Sequence, residues 1–281
     1  MRIAVLGSIN LDLVASGAPL PRAGETVSGA VLGRHPGGKG ANQALAAARL
    51  GAEVQLVGRT GQDGMADEAL TLLRQAGADL SGVVADPSRA TGVALIAVSP
   101  EGENQITVCS GANAAVEASA SIRADALICQ LECPVEAVAA TASSFAGFVS
   151  VNLAPAVPVP DDLLARADLI VVNESEAAFY GDALLQSPAL VAITLGAAGA
   201  ELWQGGRKIA EARPPKVEVI DSTGAGDVFV AALTVALIEG QPAGKALAFA
   251  CAAGALATTC AGAQPSAPQR TAVEAVLEEN P

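Results

Sequence analysis

In this 281-residue chain, the residues whose types and spacing point most directly to chemistry are Asp221-Ser222-Thr223-Gly224-Ala225-Gly226-Asp227. Two glycines flank a small alanine, so the backbone can turn tightly and approach a ligand. The apolar run 228–238 that follows reads as a helix. The first N–H groups of a helix lack intrahelical partners, and the helix dipole adds partial positive charge there. Together these make an anion site. Asp227 stands at its mouth, where a carboxylate can take the proton of a hydroxyl that attacks phosphorus. The same residues would also serve as a plain turn and helix cap, and this stretch alone leaves both readings open.

Other polar residues could complete a site. Asn10 and Asp12 are two apart, so on an extended chain they point the same way and could grip hydroxyls. An ordinary Asx-rich loop is the alternative. The segment from Gly33 to Gly38-Lys39 has phosphate-loop spacing, but Gly40 stands where such a loop needs Ser or Thr for magnesium. No buried strand runs into Gly33 either, so that reading is rejected. Backbone amides and Lys39 can still close on a polar ligand, and Asn42 offers a donor and an acceptor. Three strand-like runs end in Glu132, Asn152 and Asn173. In open α/β sheets ligands gather at the carboxyl ends of strands. Asn173 and Glu176 also have the spacing of a capping box, and arranging magnesium and phosphate is the further reading. His35 alone supports neither a metal cluster nor a triad.

The elements that must carry these residues alternate. Short apolar strands are expected at 3–6, 54–57, 127–131, 148–152, 169–172 and 191–195, with helices at 44–50, 66–75, 135–145, 228–238, 242–259 and 272–279. That order predicts an α/β fold. A loop is expected at 58–64 and a hairpin around Gly205-Gly206. Segments 25–31, 91–98 and 105–108 could form a small separate sheet, a lid over a polar cleft.

Composition narrows the partners. The net charge is −13, with 51% hydrophobic and 16% charged residues. No basic stripe could hold a nucleic-acid backbone. An anionic substrate must be held by local amides, a lysine or a metal, because the overall field repels it. Five cysteines include no Cys-x-x-Cys pair, and buried reduced thiols are expected. No signal peptide and no apolar run of membrane length is evident, so a soluble cytoplasmic protein is expected.

Two long motifs, Gly37-Gly38-Lys39-Gly40-Ala41-Asn42 and Asp221–Asp227, resemble the two signatures of the ribokinase family of carbohydrate kinases, in the right order and separation. Gly7-Ser8-Ile9-Asn10, Gly24-Glu25-Thr26-Val27, Thr91-Gly92-Val93-Ala94, Gln130-Leu131-Glu132, Thr194-Leu195-Gly196 and Gly262-Ala263-Gln264-Pro265-Ser266 extend the resemblance over nearly the whole chain. It implies a three-layer α/β/α sandwich over residues 1–281, with a lid sheet from segments near 12–34 and 91–108. It implies transfer of the γ-phosphoryl of ATP to ribose O5. Another sugar or a nucleoside is the first alternative, and a non-catalytic sugar-binding protein the second. Asn10, Asp12, Gly38, Lys39, Asn42 and Glu132 would hold the sugar. Asp227 would be the base, and Gly224, Ala225 and Gly226 the anion hole. Asn173 and Glu176 would serve Mg2+ and phosphate. Thr194, Gly196, Gly199, Gly226 and Cys251 would line the nucleotide. K+ would sit among Asp221, Thr223, Ala257, Cys260, Gly262 and Ser266, and the lid would also form a homodimer contact. The chain departs from the family pattern at Ala231, at Cys251, and in a short span 173–190 that is expected to cover its sheet face thinly.

Overall fold

Alternation along the first strand, β1 (Arg2–Leu6), sets the architecture. Ile3 and Val5 are buried in one core, Ala4 and Leu6 in another. A strand that is apolar on both faces has to be covered on both. The computed structural model describes residues 1–279. Among them β1 is followed by β2 (Asn10–Ser16), β3 (Val31–Gly37), α1 (Lys39–Arg49), β4 (Glu53–Gly61), α2 (Gly64–Ala69) and α3 (Thr71–Gln75). Then come β5 (Asp79–Asp86), β6 (Gly92–Val98), β7 (Asn104–Cys109), β8 (Ala126–Cys129), α4 (Val135–Ser144), β9 (Phe148–Asn152) and α5 (Asp161–Arg166). The chain continues with β10 (Leu169–Asn173), α6 (Glu174–Tyr180), β11 (Leu190–Thr194), β12 (Ala200–Gln204) and β13 (Arg207–Ala212), and it closes with α7 (Ala225–Ile238), α8 (Ala243–Ala257) and α9 (Arg270–Glu279).

A nine-stranded sheet has the order β13-β12-β11-β10-β9-β8-β1-β4-β5. Its strands run parallel except for the β12–β13 hairpin at one edge. Helices α1, α3, α7, α8 and α9 cover one face, and α4, α5 and α6 the other. The result is a three-layer α/β/α sandwich. A second, four-stranded sheet has the order β3-β2-β6-β7. Among the described residues no helix is long and apolar enough to cross a membrane.

The structure shifts several boundaries. The strand expected at 25–31 lies at Val31–Gly37 instead. Gly24 and Gly29 hold φ of 81° and 93°, which takes that stretch out of the extended region. Pro36 is tolerated because β3 is an edge strand. The loop expected at 58–64 is largely strand: β4 runs to Gly61 because β5, which sequence pattern did not reveal, pairs with it that far. Helix α1 starts at Lys39 rather than 44, and Gly40 lets it press on β1, since a Cβ there would lie 2.6 Å from Gly7 Cα. The short span 173–190 does not leave its face bare. Helix α6 and a 3-10 turn at Asp182–Gln186 fill it, with Leu184 buried and Tyr180 Oη donating to Val157 O at 2.7 Å. Ala231 is wholly buried in an unbroken α7.

Candidate active site

The turn from β3 into α1 builds one wall. Gly38 has φ 88°, and a Cβ there would meet Asn10 N at 2.8 Å and Ser8 O at 2.9 Å. Only glycine lets the start of α1 sit this close beneath β2. Asn10 and Asp12 are both buried, pointing the same way from β2 as their spacing requires. Asn113, in a 3-10 turn, donates Nδ2 to Asn10 Oδ1 at 2.7 Å and accepts from Ile9 N at 2.9 Å, which fixes the Asn10 amide. Asp12 lies across Gly37, where a Cβ would fall 2.2 Å from Oδ2. Glu132 Oε2 accepts from Ser8 Oγ at 2.5 Å and from Lys39 N at 3.1 Å.

The electrostatics show that these groups share one cleft. Burial, then the charges of Glu132 and Asp227, push the Asp12 carboxyl up to about 7. Lys39 is held more basic than usual, first by the Asp227 carboxylate and then by Glu132 and Glu176, against the opposing effect of burial.

Helix α7 brings in the opposite wall. Its N-cap, Gly224, is left-handed with φ 80°, and a Cβ there would lie 2.8 Å from Ala263 Cα. Ala225 N–H closes the turn onto Ser222 O at 3.2 Å. Asp227, in the first turn, is buried; its Oδ2 accepts from Asn42 Nδ2 and its Oδ1 from Gln43 Nε2, both at 2.9 Å. Burial pushes its carboxyl up, while Lys39, Asn42 and Gln43 favour the ionised form. Asn42 Oδ1 is buried without a hydrogen-bond partner among the described residues.

Beyond Gly226 opens a cavity of about 700 Å³ lined by Thr194, Gly196, Gly199, Gly226, Cys251 and others. Cys251 Sγ donates to Ala212 O at 3.7 Å, and burial pushes the thiol up to about 11, so it is an inert wall. Asn173 and Glu176 form the capping box their spacing predicts, each side chain accepting from the other's N–H at 2.8 Å. Glu176 is buried, and the charges of Lys39 and Asp227 reach its carboxyl. The six residues named for K+ come from two loops that Asp221 joins. Its Oδ1 accepts from Thr223 N and Oγ1 at 2.9 and 2.6 Å, and its Oδ2 from Gly262 N at 2.8 Å. Ser266, buried, donates its N–H to Gly262 O at 3.2 Å; Ala257 ends α8, and Cys260 is exposed between them.

Sequence reasoning passed over Ser8, Gln43, Asn113 and Gln130, and it noted Asn152 only as the polar end of a strand. Gln43 directly follows the first signature motif and Gln130 lies inside another quoted stretch, but nothing in their spacing distinguishes a buried amide from a solvated one.

A glycine-led helix start with a carboxylate in its first turn, facing a polar cleft on one side and a large cavity on the other, suits phosphoryl transfer to a hydroxyl. Comparison with known proteins agrees. The model of the pfkB family of carbohydrate kinases matches residues 1–270. The ribokinase of Bacillus subtilis (strain 168) is 37% identical over 291 aligned residues, covering 98% of this chain and 99% of the relative. The ribokinase of Thermotoga maritima superposes with a TM-score of 0.89 at 32% identity, covering 99% of each chain. The ribokinase of Arabidopsis thaliana, solved with ribose and ATP, superposes with a TM-score of 0.88 at 30% identity over 99% of this chain and 98% of its own. With both signature loops placed on one cleft and the family match spanning almost the entire chain, this protein belongs to the pfkB family of carbohydrate kinases.

Proposed function

We propose that this chain is an ATP-dependent ribokinase that transfers the γ-phosphoryl group to O5 of D-ribose. The observation that carries the reading is the position of Asp227, hydrogen-bonded to Asn42 on the polar-cleft side and one residue from Gly226 on the cavity side. Ribokinase relatives covering nearly the whole chain support the substrates. Asn10, Asp12, Gly38, Lys39, Asn42 and Glu132 hold the sugar hydroxyls. Ionised Asp227 takes the O5 proton, O5 attacks the γ-phosphorus, and ADP departs. Charge on the transferred group is met by the amides of Gly224, Ala225 and Gly226 and by the α7 dipole, with Ala225 exchanging its long bond to Ser222 O for a phosphoryl oxygen. ATP lies in the cavity along Thr194, Gly196, Gly199 and Cys251.

The donor sets fit the expected ions. Glu176, whose carboxyl feels the charges of Lys39 and Asp227, and Asn173 would supply oxygens to hold Mg2+, which would neutralise phosphate charge. Asp221 is held below the usual carboxylate range; burial opposes this, but its bonds from Thr223 and Gly262 outweigh it, so an anionic oxygen faces the loop of Ala257, Cys260, Gly262 and Ser266. A K+ there would stiffen the turn that aims the α7 amides. The four-stranded sheet, part of a single ribokinase-like unit, acts as lid and homodimer contact. The five free cysteines fit a reducing cytoplasm.

The test is ADP release with ATP, Mg2+ and K+ over a panel of pentoses, hexoses and nucleosides. Ribose should give the highest kcat/KM. Asp227→Asn should lose about 10²-fold or more in kcat with ribose affinity kept, the range a general base supplies. Faster turnover of another sugar would reassign the substrate, and near-normal kcat in Asp227→Asn would remove the base.

A further inference from the structure

Behind Asp227 lies a line of buried amides. Gln130 Nε2, from the end of β8, donates to Gln43 Oε1 at 2.6 Å. Gln43 Nε2, from α1, donates to Asp227 Oδ1 at 2.9 Å and to Asn152 Oδ1 at 3.2 Å. Asn152, at the end of β9, donates Nδ2 to Val171 O at 3.1 Å. Gln43 and Gln130 are wholly buried and Asn152 nearly so. Space for the line is made by Gly7, where a Cβ would fall 2.0 Å from Gln130 Oε1.

The direction of these bonds is not symmetric. An amide can present either its oxygen or its NH2 group. A flip of Gln43 would set its oxygen against the Asp227 carboxylate. Gln130 prevents this by offering NH2 to the Gln43 oxygen, at the cost of leaving its own Oε1 buried without a partner.

We propose that Gln43, oriented by Gln130 and Asn152, is a positioning residue for phosphoryl transfer: it holds the Asp227 carboxylate in one rotamer and in its ionised form, without touching either substrate. The inference rests on Asp227 being the base. Groups facing that carboxylate from the packed elements are Lys39 and Asn42 on α1, Glu132 after β8, Glu176 on α6 and Asp12 on β2. Lys39 alone among these is cationic, so the Gln43 donor is one of few forces favouring ionisation.

The test compares wild type with Gln43→Met, which keeps length without a donor, and Gln43→Glu, which keeps shape but offers a carboxyl. Each is measured for kcat, ribose KM, melting temperature and the pH dependence of kcat. Gln43→Met should lose about 10- to 100-fold in kcat, the factor carried by a hydrogen bond to a charged group, with ribose KM changed less than about threefold. Its acid limb should move to higher pH by about one unit, because a base that has lost a donor holds its proton more tightly. Gln43→Glu should fall at least as far. If Gln43→Met does not fold, Gln130→Met decides: freeing the Gln43 amide should move kcat and the acid limb the same way by a smaller amount. A folded variant with an unmoved acid limb, whether or not kcat falls, overturns the proposal and leaves Gln43 a packing residue. An Asp227→Asn enzyme of near-normal rate would instead overturn the base on which it rests.

Discussion

Asp12 shows how one carboxyl can link the cleft to pH. In the unfolded chain it titrates near the ordinary 3.8, while in the folded protein burial and then the charges of Glu132 and Asp227 raise it to about 7. Between those values the folded state binds a proton that the unfolded chain does not. Its contribution to stability is therefore full below the unfolded value and falls as pH rises through the window to about 7. The sugar-free protein should lose melting temperature across that window, and Asp12→Asn, neutral throughout, should flatten the decline. Ribose should bind Asp12 better as a carboxylate, because an ionised oxygen accepts hydroxyl protons more strongly. Ribose KM should thus fall as pH rises toward 8 in the wild type but not in Asp12→Asn. Parallel melting curves for the two proteins from pH 4 to 8 would refute this assignment.

At the scale of the element, the glycines at the start of α7 do two different things. Gly224 is required by the fold: φ is 80°, and a Cβ would strike Ala263. Gly226 has nothing within 4 Å of a built Cβ, so the fold does not need it. It lines the adjoining cavity, where the proposed nucleotide would lie. Gly224→Ala should lower both melting temperature and activity. Gly226→Ala should melt within about 2 °C of wild type, as exposed substitutions do, while kcat/KM for ATP drops at least tenfold. Equal effects in the two variants would dissolve the distinction. Sequence pattern made the motif visible, since glycine, small residue, glycine and Asp before an apolar run has one obvious geometry. It also located the strands that are continuous and apolar, because burial on both faces leaves no ambiguity. It missed β5, whose Gly82 and mixed polarity reflect an edge position, and it misplaced β3, because a strand containing Arg34, His35 and Pro36 looks like a loop until its partner β2 is known. Asn10 and Asp12 could be paired by their spacing, but Gln43, Gln130 and Asn152 meet only through tertiary packing of α1, β8 and β9.

For the whole molecule the four-stranded sheet poses the remaining question. Register places Asp12, Ala94 and Val108 in one row, Val14, Ile96 and Ile106 in the next, and Ser16 opposite Val31. Rows that pair directly share a face. The face that carries Asp12 into the cleft therefore runs outward into Val108, Ile106 and Val31, which are 49%, 56% and 70% exposed. An apolar continuation of the face that carries Asp12 would be covered by a second copy of the same sheet crossing it about a twofold axis, as proposed above. Each copy carries a net charge of −13, so long-range repulsion opposes the pairing and salt should relieve it. Sedimentation equilibrium should show a dimer that tightens between low and about 0.15 M salt, where the Debye length has shrunk to about 8 Å. Ile106→Lys with Val108→Lys should give a folded monomer, because both positions are exposed within the single chain. Ribose KM should rise several-fold in that monomer, because the lid would lose the partner that steadies β2 and its Asp12. A wild-type monomer at tens of micromolar, or a lysine variant that dimerises as before, would place the contact elsewhere; a monomer with unchanged ribose KM would show that the lid closes without its partner.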